Sequence, residues 1–263
     1  MGDPSRLTFL GHSTVLIEIG GKRILTDPVL FDRLTILRRV TTSLDPRLYQ
    51  AIDIVLLSHL HLDHFDVPSL RLLGRDVLIV VPPRAGRLLR RLGFSNVAEA
   101  APSVSVHHEG VSIGATPAAH GGYRPPFGPR AGAVGYVVEA DGIRIYFAGD
   151  TELFDGMANI GPELDLALLP VWGWGPTLGT GHLNPATAAE ALRLLGARAA
   201  VPIHWGTLWP LGLGRVRAHR LADPPVEFAT LAAQLCREAT VVVLTPGESV
   251  VLDRRGVVTM PGT

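Results

Sequence analysis

The chain contains a single cysteine, Cys236, among its 263 residues. One cysteine cannot form an intramolecular disulfide, and it cannot supply the several thiolates of a cysteine-built zinc site. Any metal centre in this protein must therefore use nitrogen and oxygen ligands, which histidine and carboxylate side chains provide.

The sequence also lacks an excess of charge of either sign, because 24 basic residues balance 24 acidic residues. A protein that binds nucleic acid through phosphate contacts usually carries a basic excess, so we expect no nucleic-acid partner. A hydrophobic fraction of 47% and a charged fraction of 18% exclude a disordered chain. None of these values indicates the oligomeric state.

Long apolar runs are absent as well, since none approaches the ~20 residues of a membrane-spanning helix. Residues 1–12 lack the basic and apolar regions of a signal peptide. We therefore expect a cytoplasmic protein without a transmembrane segment, acting on a small-molecule substrate. No linker or low-complexity tract interrupts the chain, which predicts one domain over residues 1–263.

Short apolar runs punctuated by glycine and proline predict strands, and longer amphipathic runs between them predict helices. The clearest helix is Pro185–Leu195, with Asn184 as its N-cap and Gly196 after its end. Residues 152–160 are also predicted to be helical. The segment Leu30–Val40 shows no clean period and is interpreted as an irregular helix or a loop over a cleft. Mixed strands and helices in both halves favour a layered α/β fold.

The most informative segment follows the buried strand predicted at residues 53–57. His59, His61, Asp63 and His64 lie within six positions at a strand's carboxyl end, where α/β sheets place functional loops. A single ion would hardly use all four side chains, whereas two adjacent ions would. A histidine-rich surface loop is the alternative, but ten histidines in 263 residues make such clustering improbable.

Three further side chains end apolar strands next to small residues: His120, Asp150 and His204. With the first cluster they complete two sites and a bridge. One site would use His59, His61 and His120, the second Asp63, His64 and His204, and Asp150 would bridge them. Two divalent ions are expected, with Zn²⁺ as the first choice and Mn²⁺ or Fe²⁺ as alternatives.

The pattern His-X-His-X-Asp-His, a later histidine, Gly-Asp-Thr and a final histidine after a strand resembles the metallo-β-lactamase-fold hydrolases. The resemblance covers residues 11 to about 210. It implies an α/β, four-layer αββα sandwich of two similar halves, with the metals at the edge of the sheets. The antibiotic-degrading members lack a carboxylate equivalent to Asp150, so we do not expect β-lactamase activity.

Four shorter motifs are similar to one branch of these hydrolases, which holds the N-acyl-phosphatidylethanolamine-hydrolysing phospholipase D and, more distantly, the L-ascorbate-6-phosphate lactonase. The motifs are Phe9–Thr14, Thr26–Val29, His182–Pro185 and Ile203–Thr207. The resemblance implies a hydrolase, and a phosphodiester is the leading substrate class.

The expected mechanism uses a metal-bridging hydroxide as nucleophile. Asp63 is the candidate for orienting it and accepting its proton, and His182 is the candidate donor to the developing oxyanion or leaving group. A histidine packed in the loop before the helix is the alternative for His182. Asp27 and His12 are candidates for orienting ligand histidines, and a structural turn role is equally consistent with the sequence.

Aromatic and basic residues near these motifs are candidates for the substrate pocket: Tyr123, Arg124, Trp172, Trp174 and Trp205. Core packing is the usual role of tryptophan, and a solvated loop position is the usual role of arginine.

Three other functions compete with phosphodiester hydrolysis. The same site could open a lactone or another cyclic ester, because metals and hydroxide attack carbonyl and phosphoryl centres alike. A non-catalytic metal-binding protein is disfavoured by the complete ligand set. Redox chemistry at a di-iron site with flavin is disfavoured because the length leaves no room for an added flavin domain.

Overall fold

The computed structural model describes residues 4–122, 128, 130–160, 163–214, 216, 218–253 and 258–259. Its first strands are β1 (Ser5–Gly11), β2 (Thr14–Ile19), β3 (Lys22–Thr26), β4 (Arg33–Leu34), β5 (Leu37–Arg39), β6 (Ile54–Leu56), β7 (Leu78–Val81) and β8 (Val97–Glu99). The later strands are β9 (Ser105–His108), β10 (Val111–Pro117), β11 (Val134–Ala140), β12 (Ile143–Phe147), β13 (Leu166–Pro170), β14 (Ala199–Ile203), β15 (Leu208–Pro210), β16 (Thr240–Val241), β17 (Ser249–Leu252) and β18 (Val258–Thr259). The α-helices are α1 (Val67–Leu73), α2 (Gly86–Arg91), α3 (Pro185–Leu195) and α4 (Asp223–Leu235).

The strands form two large mixed sheets. The first has the order β18-β17-β1-β2-β3-β6-β7-β8, and the second has the order β16-β14-β13-β12-β11-β10-β9. In each sheet an antiparallel meander is followed by parallel strands, which are β3, β6, β7 and β8 in the first and β12, β13, β14 and β16 in the second. The carboxyl ends of these parallel strands lie at one edge of each sheet.

Four layers result from the alternation of side chains along the strands. In β7, Leu78 and Val80 belong to the main core between the sheets, whereas Ile79 and Val81 contact residues of α1 and α2. The helices α3 and α4 cover the second sheet through buried alanine, leucine and phenylalanine side chains. The predicted α/β sandwich, with its sheets flanked by helices, is confirmed.

Helix α3 has the predicted bounds. The Asn184 side chain accepts hydrogen bonds from the backbone of Ala186 and Thr187, and Thr187 closes a capping box by accepting from the Asn184 backbone N–H. Gly196 ends the helix in the left-handed conformation, with φ of 61°. Cap and terminator residues therefore fix this element locally.

Two predictions of local structure were wrong. Residues 152–160 form only a short 3₁₀ turn, Asp155–Asn159, and Gly156 within it disfavours a longer helix. The segment Leu30–Val40 is neither a helix nor an irregular loop, because β4 and β5 form an antiparallel hairpin and β5 pairs with β15. That partner strand lies far along the chain, so no local period indicates the pairing.

The longest α-helix among the described residues, α4, has 13 residues. No helix in this part of the chain combines the length and the apolar composition needed to cross a bilayer.

Replacing Asn184 by alanine should remove the acceptor for two backbone N–H groups at the start of α3. We expect the free energy of unfolding to fall by about 1 kcal/mol, measured by urea denaturation. Asn96→Ala is the matched control, because the Asn96 amide donates to the Asp76 carbonyl at an exposed position outside the helices. An equal loss in both variants would contradict the capping role.

Candidate metal centre

The site lies where the ends of the two sheets meet. His59 and its neighbours follow β6 of the first sheet, whereas Asp150 follows β12 and His204 follows β14 of the second. Backbone hydrogen bonds join the two edges, from Val134 N–H to the Ser58 carbonyl at 3.0 Å and from His204 N–H to the His12 carbonyl at 2.7 Å. The fold therefore brings together residues far apart in sequence.

Asp27 organises the histidines that follow β6. Its carboxylate accepts hydrogen bonds from Ser58 N–H at 2.7 Å, Ser58 Oγ at 2.5 Å and His64 Nδ1 at 2.7 Å. The Ser58 hydroxyl in turn accepts from His59 Nδ1 at 2.9 Å. With Nδ1 protonated in both rings, the unprotonated Nε2 atoms are left as the ligand nitrogens. Burial raises the pKa of Asp27, and the neighbouring His64 offsets part of that rise.

Backbone carbonyls orient two further rings. His120 Nδ1 donates to the Gly181 carbonyl at 2.7 Å, and His204 Nδ1 donates to the Trp172 carbonyl at 2.9 Å. Their Nε2 atoms therefore carry no proton either. Burial lowers the pKa of His120 to about 4 and that of His59 well below its usual value, which keeps both rings neutral, as metal ligation requires.

Ring nitrogens face each other at two points in the site. His64 Nε2 lies 3.1 Å from His204 Nε2, and His61 Nδ1 lies 3.1 Å from His120 Nε2. In the first pair both nitrogens present lone pairs, which repel unless a cation or a proton lies between them. This spacing therefore fits metal ligands.

Asp150 lies between the two groups of histidines. Its Oδ2 is 3.1 Å from His64 Nε2 and 3.9 Å from His59 Nε2, and its Oδ1 is 3.3 Å from His204 Nε2. Asp150 Oδ1 and His59 Nε2 are buried polar atoms for which the described residues offer no hydrogen-bond partner. Such atoms are costly unless a ligand satisfies them, and a divalent cation fits this nitrogen and oxygen donor set.

The seven predicted ligands thus meet in one place. Ligand atoms of His59, His61 and His120 lie within 4.8 Å of one another, and those of Asp63, His64 and His204 form a second such group. Asp150 groups with His120 and His182 by the same distance. The role of Asp150 as a bridge between two ions stays a prediction.

His12 joins the second group, which the sequence did not predict. Its Nε2 contacts Asp63 Oδ2 at 2.9 Å, and its backbone N–H donates to Thr207 Oγ1 at 2.8 Å. Its side chain therefore contacts a carboxylate, and its ring also lies against that of His204, with 4.0 Å between the ring centroids. Burial lowers the pKa of His12 to about 3. Burial alone would raise the pKa of Asp63, but the neighbouring His64 and the hydrogen bond from His12 lower it well below its usual value.

The backbone at the site is strained. His12, Asp27 and His204 have φ values of 55°, 32° and 62°, in the left-handed region that non-glycine residues seldom adopt. Gly149 has φ of 60°, and a Cβ there would lie 2.5 Å from Ser58 Cβ. The residue before Asp150 must therefore be glycine, because the strands approach so closely.

His182 lies at the rim, partly exposed. Its Nδ1 donates to the carbonyls of Gly179 at 3.2 Å and Thr180 at 3.0 Å, and its Nε2 lies 3.3 Å from Asp150 Oδ2. Burial alone would lower the pKa of His182, but the hydrogen bond and charge of Asp150 raise it. His182 therefore points towards the metal-ligand cluster.

The candidate pocket residues are placed differently from one another. Trp174 is 39% exposed and lines a cavity beside His182. Trp172 is buried with Arg220 above its ring, and Trp205 packs against Phe9 in the main core. For Trp205 this differs from the predicted pocket wall, because ring stacking and a bond from Nε1 to the Pro202 carbonyl hold it inside.

The two remaining candidates, Tyr123 and Arg124, lie outside the described residues.

Sequence reasoning missed Ser58 and Glu152. Ser58 links Asp27 to His59, and Glu152 Oε1 accepts the Gly181 N–H at 2.6 Å beside His120. The only signal in the sequence is their position near predicted ligands, because Ser58 directly precedes His59 and Glu152 follows Asp150 by two residues. The contacts of Ser58 with Asp27 and of Glu152 with Gly181 join residues distant in sequence, which no local pattern indicates.

The family model of the beta-lactamase superfamily domain matches residues 22–205. The chain belongs to this superfamily. A UPF0173 metal-dependent hydrolase of Pelotomaculum thermopropionicum is 34% identical over 259 residues, covering 94% of this chain and 100% of the relative. A second, from Pyrococcus furiosus, is 32% identical and covers 94% of this chain and 99% of the relative. The protein is therefore a metal-dependent hydrolase of the metallo-β-lactamase fold.

Solved structures support the same fold. The metallo hydrolase Igni18 from Ignicoccus hospitalis has a TM-score of 0.74 and 26% identity, covering 95% of this chain and 98% of that one. The isothiocyanate hydrolase from Delia radicum gut bacteria has a TM-score of 0.71 at 20% identity, covering 93% and 98% of the two chains. The second likeness concerns the fold alone.

The Asp27 network predicts the effect of an isosteric substitution. Asp27→Asn should weaken the affinity of the hydrolase for divalent metal about 10- to 100-fold, because it removes the carboxylate that orients His64. Competition with a chromogenic chelator measures this affinity, and circular dichroism checks the fold.

Asp165→Asn is the matched control for this substitution. Asp165 is also a buried carboxylate, but it accepts from Arg144 N–H and pairs with Arg198 outside the cluster. Unchanged metal affinity in Asp27→Asn, or an equal loss in both variants, would contradict the orienting role.

Proposed function

We propose that this hydrolase holds two divalent metal ions, Zn²⁺ by first choice and Mn²⁺ or Fe²⁺ otherwise, and that it hydrolyses a phosphodiester. The main support is two pairs of facing imidazole nitrogens, His64 with His204 and His61 with His120. The two nitrogens of each pair are 3.1 Å apart. The two points lie on either side of Asp150. One cation at each point would satisfy both pairs.

The seven candidate ligands would be distributed over two ions. One ion would be held by His59, His61 and His120, and the other by Asp63, His64 and His204, with Asp150 shared. Bound divalent ions lower the pKa of a coordinated water towards neutrality and offset negative charge at the attacked centre.

The protein's own contribution is orientation and proton transfer. Asp63, held by His12 at 2.9 Å, would orient the attacking water and accept its proton. His182, fixed by two backbone carbonyls, would donate to the charge that develops on the substrate or leaving group.

The charges around the site favour a substrate with little charge of its own. The described residues that line the two cavities beside His182 include no lysine and no arginine. Among the described residues only the metal ions would then balance the substrate's charge, which suits the single negative charge of a diester better than the two charges of a monoester. The resemblance of Phe9–Thr14 and Ile203–Thr207 to a branch with a phospholipase D supports the same class.

A lactone or other cyclic ester is the second candidate. The same lack of cationic side chains favours it, because an uncharged ester needs no counter-ion beyond the metals. The residues named for orientation and proton transfer would serve both reactions.

Metal analysis tests the two-ion proposal. We expect about two equivalents of divalent metal in the purified hydrolase, measured by inductively coupled plasma mass spectrometry, and about one in His61→Ala. His107→Ala is the control and should keep both, since His107 is exposed on β9 away from the cluster. One equivalent in the wild type would contradict the dinuclear site, and abundant iron with a visible chromophore would favour redox chemistry.

Turnover of bis(p-nitrophenyl) phosphate and of a lactone panel tests the reaction. We expect phosphodiester hydrolysis by the metal-loaded protein, and a decrease in kcat of about 10²- to 10⁴-fold in His182→Gln with unchanged metal content. Absence of any phosphodiester turnover would overturn the first candidate. Lactone turnover without phosphodiester turnover would establish the second.

A further inference from the structure

Two cavities of different character adjoin His182. The first, of about 300 Å³, extends from His182 and His204 towards Trp174 and Leu178. The second, of about 530 Å³, extends from His182 towards His61 and His120. His182 borders both, so a substrate attacked beside it would extend one substituent into each cavity.

The first cavity is walled mainly by apolar side chains. Trp174, Pro176 and Leu178 form its sides, and Thr177 adds a hydroxyl. Apart from the two imidazoles, none of its described lining residues is ionisable. A charged substituent would lose its hydration there without gaining a partner, whereas an apolar one would gain from burial. Trp174 is 39% exposed, so its ring is accessible to a ligand in this cavity.

Gly173 keeps this cavity open next to the metal-ligand cluster. A Cβ at Gly173 would lie 3.4 Å from Leu178 Cδ1 and 3.7 Å from His204 Cε1, which are ordinary contact distances. The φ of Gly173 is not positive, so the backbone does not require glycine. The absence of a side chain therefore leaves space between Leu178 and His204.

The second cavity is more polar than the first. Glu152 and Thr180 line it together with His61 and His120, and the Glu152 carboxylate accepts the Gly181 N–H at 2.6 Å. A carboxylate at this wall disfavours a further anionic group and favours one that donates a hydrogen bond. The two cavities therefore select different substituents of one substrate.

We propose that the cavity formed by Trp174, Pro176 and Leu178 binds an uncharged alkyl or aryl substituent of the substrate, and that the hydrolase selects esters that carry such a group. The polar cavity then takes the hydrogen-bonding substituent. The selection of esters rests on the proposed hydrolytic function, but the preference of the cavity for an apolar group can be measured by binding, without any turnover.

The direct test is the binding of alkyl(methyl)phosphinates with methyl, butyl and hexyl chains to the metal-loaded protein. These anions carry one negative charge, as a diester does, and contain no ester bond to cleave. We expect the affinity measured by calorimetry to rise about fourfold per methylene until the cavity is filled. An affinity independent of chain length, or no binding of any phosphinate, would overturn the proposal.

Variants assign the preference to this cavity. Leu178→Asp and Gly173→Val should abolish the dependence on chain length, measured as the ratio of the affinities for hexyl(methyl)phosphinate and dimethylphosphinate, while the metal content stays unchanged. Leu72→Asp and Gly132→Val are the matched controls, because Leu72 is exposed on α1 and a Cβ at Gly132 meets no atom within 4 Å. An undiminished dependence in both cavity variants would overturn the proposal.

Trp174→Ala provides a third variant, and it should fold because Trp174 is partly exposed. We expect it to weaken the binding of hexyl(methyl)phosphinate more than that of dimethylphosphinate, by at least about tenfold, because the aromatic wall of the cavity is lost. An equal effect on both ligands would count against the cavity.

Kinetics separate this inference from the proposed function. Chain-length-dependent binding without hydrolysis of any ester would leave the cavity in place and overturn the hydrolytic proposal. Ester hydrolysis with a kcat/KM that does not depend on chain length would support the hydrolytic proposal. It would overturn the proposal that the cavity selects the substrate.

Discussion

The structure of this site depends on one repeated interaction, in which four of its imidazoles donate Nδ1–H to a fixed oxygen and turn Nε2 inward. Asp27 serves His64, Ser58 serves His59, and backbone carbonyls serve His120 and His204. Each bond fixes the tautomer as well as the ring orientation. The inward-facing nitrogens repel each other unless a cation lies between them, so this arrangement is suited to binding a metal ion.

The backbone strain around the cluster follows from the same requirement. His12, Asp27 and His204 all have positive φ, and tertiary hydrogen bonds hold at least two of them there. His12 N–H donates to Thr207 Oγ1, and His204 N–H donates to the His12 carbonyl. Strained residues persist only when their surroundings determine them strongly. Here the main core and the contacts between the two sheet edges hold the strained residues in place.

Polarity is divided sharply around the cluster. Buried carboxylates face the histidines on the inside, whereas the outer cavities offer an apolar wall near Trp174 and a polar wall near Glu152. The described walls of both cavities carry no lysine or arginine, so the attraction for substrate charge would come from bound metal. Recognition of the rest of the substrate then depends on shape and hydration, not on a basic surface.

The sequence by itself determined the helix α3 through its caps, the buried strands through their apolar runs, and the seven candidate ligands through their positions after those strands. These features are local, and short-range periodicity or spacing encodes them. The tertiary structure alone decided the pairing of β5 with β15, the core position of Trp205, the contact of Ser58 with Asp27, the contact of Glu152 with Gly181, and the contact of His12 with Asp63. Each of these joins residues far apart in the chain, so it depends on how the two sheets pack.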